Sequence, residues 1–122
     1  MKEYDNILKD IYETDNKTQI NGTNLYKLAL DFDKWIVIDE RGKRANNKIY
    51  SWIAPSLYLD VIKVTDKKTP TFVGLLDKNG KEIIDTEYID IFVGTDYYWV
   101  TKDSDIFFPI EKKTLKKLKN KF

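Results

Sequence analysis

Any catalysis in this chain would have to be built without histidine and without cysteine, since neither occurs among its 122 residues. Missing with them are the commonest general base, the commonest metal ligand, every thiol nucleophile and any disulfide. Aspartate, glutamate, lysine, tyrosine, serine and threonine remain. No Gly-x-Ser-x-Gly elbow, Walker loop or dinucleotide fingerprint sets them at a catalytic spacing, and the five glycines stand singly. No residue is assigned a catalytic role, no cofactor is expected, and the chain is expected not to be an enzyme. The route left open is a pair of carboxylates that meet only on folding, as hydrolysis of a glycosidic bond requires.

Metal chemistry is similarly thin. Asp77, Asn79 and Gly80 resemble the opening of a calcium loop. A twelve-residue loop from Asp77 would need a bidentate glutamate at its last position, where Tyr88 stands, and Lys81 occupies a ligand position. A tight turn is the expectation. Asp103-Ser104-Asp105 has no further ligand nearby in sequence and also reads as a polar turn, so no metal is expected.

Composition sets the frame for these residues. Apolar types make up 42% of the chain and aromatic types 14%, with eight tyrosines and three tryptophans, enough for a substantial core. One domain covering residues 1–122 is expected, burying roughly two thirds of its unfolded surface. The opening MKEYDNILKD is charged where a signal peptide would be apolar, and no run reaches membrane-spanning length. A cytoplasmic protein without membrane contact is expected. The net charge of +1 is uneven: residues 110–122 hold six lysines and one glutamate.

The elements follow from periodicity. Tyr4, Ile7, Leu8, Ile11 and Tyr12 form one apolar helical stripe, predicting a helix over residues 1–15. A polar run follows. From Leu25 to Phe32, Tyr26, Leu28, Leu30 and Phe32 alternate with polar or small residues, which predicts a leading strand. From Trp35 the chain then repeats itself at one constant offset. Asp39 falls on Asp77, Gly42 on Gly80, Lys43 on Lys81, Tyr50 on Tyr88 and Ile53 on Ile91. Each unit is an apolar strand, a hairpin whose glycine supplies positive φ, a returning strand, and a third strand near Leu59–Val64 or Tyr97–Thr101. Such a unit exposes an apolar face that it cannot cover alone, so two units must pack on each other. Residues 25–71 hold the leading strand and first unit, and residues 72–109 hold the second.

These units, with Trp35 in the first and Gly74 opening "GLLDKNGKEIIDTEYIDI" in the second, resemble WG repeats over residues 35–105. The resemblance implies a β-rich scaffold used for binding rather than for a defined reaction. The first copy has Ile36 where the family glycine belongs, and the second has Val73 where the tryptophan belongs.

Alternation around Glu87–Val93 puts Asp90 on a solvated face. Carried back by one repeat, that face becomes the face of Trp52, with Tyr50 beside it. Tyr50 and Trp52 are therefore expected to look outward as partner-binding residues, since exposed aromatics dominate many binding surfaces. In the run Tyr97-Tyr98-Trp99, Trp99 is expected in the core and Tyr98 at the surface as a further contact.

At the C-terminus, Pro109 is placed to open a helix over residues 110–122, with Glu111 in its first turn and a stripe of Leu115, Leu118 and Phe122. Lys112, Lys113, Lys116, Lys117, Lys119 and Lys121 would then attract an acidic partner or a polyanion such as RNA or DNA.

The expected fold is thus α+β and β-rich. Two three-stranded antiparallel units form a curved sheet or small sandwich between an N-terminal helix and a short basic C-terminal helix, about seven strands in all. The expected function is non-enzymatic recognition of a macromolecule, chiefly a protein partner. A small phage or mobile-element inhibitor of a host enzyme or defence complex is one form of it. The alternatives are nucleic-acid binding through the C-terminal lysines and the carboxylate hydrolase.

Overall fold

The computed structural model describes residues 17–66 and 71–115. Ten strands succeed one another: β1 (Lys17–Gln19), β2 (Tyr26–Asp31), β3 (Lys34–Ile38), β4 (Trp52–Ile53), β5 (Val61–Asp66), β6 (Phe72–Asp77), β7 (Glu82–Tyr88), β8 (Asp90–Val93), β9 (Tyr97–Thr101) and β10 (Phe108–Glu111). All strand pairing is antiparallel, in three sheets with orders β1-β2-β3, β4-β5-β6-β7 and β10-β9-β8. Among the described residues there is no helix. The architecture is all-β, which corrects the α+β expectation.

The two predicted helices fare differently. Residues 1–15 lie outside the described residues. The C-terminal helix is contradicted where it was to begin. Phe108–Glu111 is a strand, with Phe108 opposite Val100 and Ile110 opposite Tyr98. Ile110 goes into the core from it, a period of two prevailing over the helical stripe. Pro109 is tolerated because β10 is an edge strand, where a missing N–H need not break a ladder. Lys112–Thr114 then form a turn, not a first helical turn, and the remainder of the lysine run lies outside the described residues.

The sequence repeat is present as geometry. Asp39 N–H donates to Lys43 O at 2.7 Å, and Asp77 N–H donates to Lys81 O at 2.8 Å. Asp39 Oδ1 accepts the N–H groups of Arg41 and Lys43 at 2.8 and 2.9 Å; Asp77 Oδ1 accepts those of Asn79 and Lys81 at the same two distances. Gly42 and Gly80 both have φ of 83°. Further along, Trp35 bridges Tyr50 as Val73 pairs with Tyr88, and Ile38 bridges Arg44 as Leu76 pairs with Glu82.

Sheets do not coincide with repeats, however. The chain leaves the first sheet after Tyr50, which still bridges β3, and enters the second at Trp52. It leaves the second after Tyr88 and enters the third at Asp90. These exits fall at equivalent positions of the two units. The second sheet therefore combines β4 and β5 of the first unit with β6 and β7 of the second, and this exchange ties the units together.

Two cores result. Val37, Tyr50, Ile53, Ile62, Val64 and Leu76 fill the first, between the first and second sheets. Val61, Leu75, Ile84, Tyr88, Val100 and Ile110 are among those filling the second, between the second and third sheets. Strands β5 and β6 serve both, so Ile62 and Leu76 face one core while Val61 and Leu75 face the other. That explains the unbroken apolar run Val73–Leu76 (with Gly74 inside it), which a half-solvated strand would not carry. A smaller cluster, Leu28 of β2 with Ile36 and Ile38 of β3, is fully buried on the first sheet itself.

Candidate functional site

Trp52 begins β4 at the edge of the second sheet and is 43% exposed, as the repeat argument expected. Tyr50 is not beside it on the surface. It is 2% exposed and lies in the first core, where its hydroxyl accepts a hydrogen bond from Asn46 Nδ2 at 3.3 Å. The physical reason is the change of sheet at Ser51: alternation fixes a shared face only within one continuous strand. Burial, then the nearby Glu82 carboxylate, drives the Tyr50 hydroxyl's pKa far above the usual phenol range.

Tyr98 is corrected in the same way. It is 6% exposed and packs in the second core with Val100, while Trp99 is only half-buried and pairs with Phe92. One repeat before Trp99 stands Val61, and that match is what predicts a core position for Trp99. Val61 is covered because the second sheet is packed on both faces. The third sheet is the last described layer, so the corresponding face carries no further sheet. Burial raises the Tyr98 pKa, and the Asp60 carboxylate adds to it. Lys112 lies with Nζ 5.3 Å from the centre of the Tyr98 ring, and its N–H donates to Asp96 O. Lys113 is exposed, and Lys116, Lys117, Lys119 and Lys121 lie outside the described residues.

Around Trp52 stand residues that alternation at the sequence level did not select. A cleft of about 380 Å³ is lined by Trp52, Leu57, Tyr58, Lys63, Leu75 and Phe92, among others. Tyr58 is 59% exposed and Phe92 63% exposed. A second, shallower cleft, about 480 Å³, is lined by Asp90, Ile91, Phe92, Trp99 and Phe107. Ile91 and Phe92 belong to both, so the clefts meet at β8. Phe92 was legible: it continues the alternation that places Asp90 outward. Tyr58 sits in the β4–β5 connection, where no periodicity operates; it bridges Val61, and Leu59 next to it adopts a left-handed φ of 56°.

The acids are mostly turn-formers. Asp77 Oδ1 is engaged as described. Asp103 accepts the N–H groups of Ile106 and Asp105 and the hydroxyl of Thr101, and these bonds hold its carboxyl below the usual range. Asp60 and Asp77 line a polar cleft of about 390 Å³ with Tyr98, but Asp77 is already committed to its hairpin. Glu82 is raised by burial and then by Asp85; Lys48 Nζ lies 4.0 Å from Glu82 and 3.6 Å from Asp85. Among the described residues no three acidic side chains gather as metal ligands, and no helix is long and apolar enough to cross a membrane.

Fold and surface together define a class: an all-β protein of stacked antiparallel sheets with an exposed aromatic surface at β4 and β8. No protein-family model matches the chain, and no curated protein or solved structure matches it.

Proposed function

We propose that this is a non-enzymatic binding protein that recognises a protein partner through the surface around Trp52, Tyr58 and Phe92. The observation that carries this reading is three large side chains standing exposed around one apolar cleft. Contiguous exposed apolar surface is uncommon in monomeric proteins and marks contact sites, and Trp and Tyr supply much of the energy at such sites. Trp52 and Phe92 are held on strands anchored by the two cores, so little ordering entropy opposes docking. The WG-repeat resemblance agrees with a scaffold used for binding. The C-terminal lysines would add attraction to an acidic partner. An inhibitor encoded by a phage or mobile element, acting in the cytoplasm on a host enzyme or defence complex, is the specific form of this reading.

The test is affinity capture with the wild-type chain, Trp52→Ala and Phe92→Ser, each first checked by thermal melting. The expected result is a specific protein retained by wild type and lost with both variants, whose Tm values stay within a few degrees of wild type. Capture that survives both substitutions overturns the reading.

A further inference from the structure

Strand β8 is the outer strand of the third sheet. Phe92 pairs with Trp99, and Gly94 N–H donates to Tyr97 O at 2.9 Å, so Phe92 and Gly94 direct their main-chain groups toward β9. Ile91 and Val93, alternating with them, direct theirs to the open edge. Ile91 N–H is held there by Asp90 Oδ1 at 2.8 Å, a local cap of the kind that blunts an edge against indiscriminate pairing. Among the described residues no backbone hydrogen bond reaches the outer side of Val93.

The same place in the preceding unit is filled. One repeat before Val93, Gly94 and Thr95 stand Pro55, Ser56 and Leu57, which continue from edge strand β4. There Asn21 adds itself in parallel opposite Ser56: Asn21 N–H donates to Pro55 O, and Leu57 N–H donates to Asn21 O, both at 2.9 Å. Behind it Ile20 is fully buried in the first core. A piece of extended chain thus closes the first interface at this edge. One repeat after Asn21 stands Leu59, which is exposed with left-handed φ and makes no such bridge. At the second interface the two clefts open on either side of β8 instead.

We infer that the partner supplies an extended segment that adds to the β8 edge, its backbone pairing with the N–H and C=O of Val93 and the N–H of Thr95 and its alternate apolar side chains entering the two clefts. A strand sends successive side chains to opposite faces. An added strand would therefore send one set toward Trp52, Tyr58 and Leu75 and the other toward Phe92 and Phe107. Main-chain bonds would supply affinity and the clefts side-chain preference. This inference rests on the protein-binding reading and specifies how that surface is used.

The test uses the full-length ¹⁵N-labelled chain and capped peptide probes. One probe is a seven-residue peptide alternating valine or isoleucine with threonine and lysine. Two versions are N-methylated at alternate amides, one on each edge, and a helix-forming peptide of equal apolar content is the control. The expected result is saturable binding of the alternating peptide with slowed amide exchange at Val93 and Thr95. N-methylation of one edge should weaken it at least tenfold, with the other edge tolerant. Phe92→Ser should also weaken it at least tenfold. Binding that perturbs Trp52 but ignores N-methylation on both edges, or is matched by the helical peptide, overturns strand addition while leaving the protein-binding reading intact. No saturable binding by any peptide at millimolar concentration overturns it too; captured protein lost on Trp52→Ala would then show the surface used in another manner. Protection of these amides in the free chain, together with a dimer by sedimentation, overturns it by assigning the edge to a second copy.

Discussion

At the scale of single residues, the two hairpin glycines separate backbone strain from packing. Gly42 and Gly80 share a φ that disfavours any Cβ. At Gly80 an added Cβ would also come 2.5 Å from Ala45 Cβ and 3.2 Å from Leu25 Cδ1. Gly42→Ala should cost about 1 kcal/mol of stability from strain. Gly80→Ala should cost about 3 kcal/mol, since overpacking adds to the strain. Urea unfolding of both variants checks the order, and equal losses would refute it. Glu82 offers a pH-dependent companion. Its carboxyl pKa is raised in the folded protein, so the charged form is disfavoured there and its stability contribution is lost as pH rises from the unfolded value through the folded one. Glu82→Gln should therefore melt like wild type at acid pH, with both side chains neutral, and above wild type at pH 7. Glu82 keeps part of its side chain in water, which keeps the gain small.

At the scale of elements, the cross-connection between hairpins is testable. Asn46 follows the first hairpin turn, and its Nδ2 donates to Gly80 O at 2.8 Å in the second, 34 residues away. Removing it leaves a part-buried carbonyl without this donor and should cost about 1–2 kcal/mol. Asn46→Ala measured by denaturant titration, against Lys48→Ala on the same segment as a control, is the check; a loss no larger than the control's would refute the role. The elements also show how far the sequence could be read. The turns, the repeat offset, the leading strand and the outward Trp52 were all legible, because glycine, aspartate and alternation act locally. Faces assigned to Tyr50 and Tyr98 were not. Tyr50 precedes a change of sheet, and Tyr98 belongs to a sheet that, among the described residues, has a neighbouring sheet on one side only, so neither follows from counting by two. The basic helix was misread for a related reason: Pro109 suits both a helix start and an edge strand, and pairing with β9 decides between them.

At the scale of the whole molecule, the middle sheet links two cores through adjacent residues of β6. Leu75 enters the second core and Leu76 the first, both almost fully buried. Truncating either to alanine should cost about 2–5 kcal/mol. Because β5 and β6 form one wall of each core, both variants should unfold in a single transition. Fluorescence and far-UV circular dichroism should report coincident midpoints, whereas separated midpoints would show the cores to be independent.

The sequence alone determined the local grammar: which residues turn the chain, how often the pattern recurs, and that the chemistry of histidine and cysteine is absent. Those properties depend on near neighbours and on residue type. Only the tertiary structure decided that Tyr50 and Tyr98 turn inward, which edge of β8 is left unpaired among the described residues, and that Trp52, Tyr58 and Phe92 surround one cleft. Such facts depend on where the chain crosses between sheets and on which sheet has a neighbour on both sides, and no short stretch of residues encodes either.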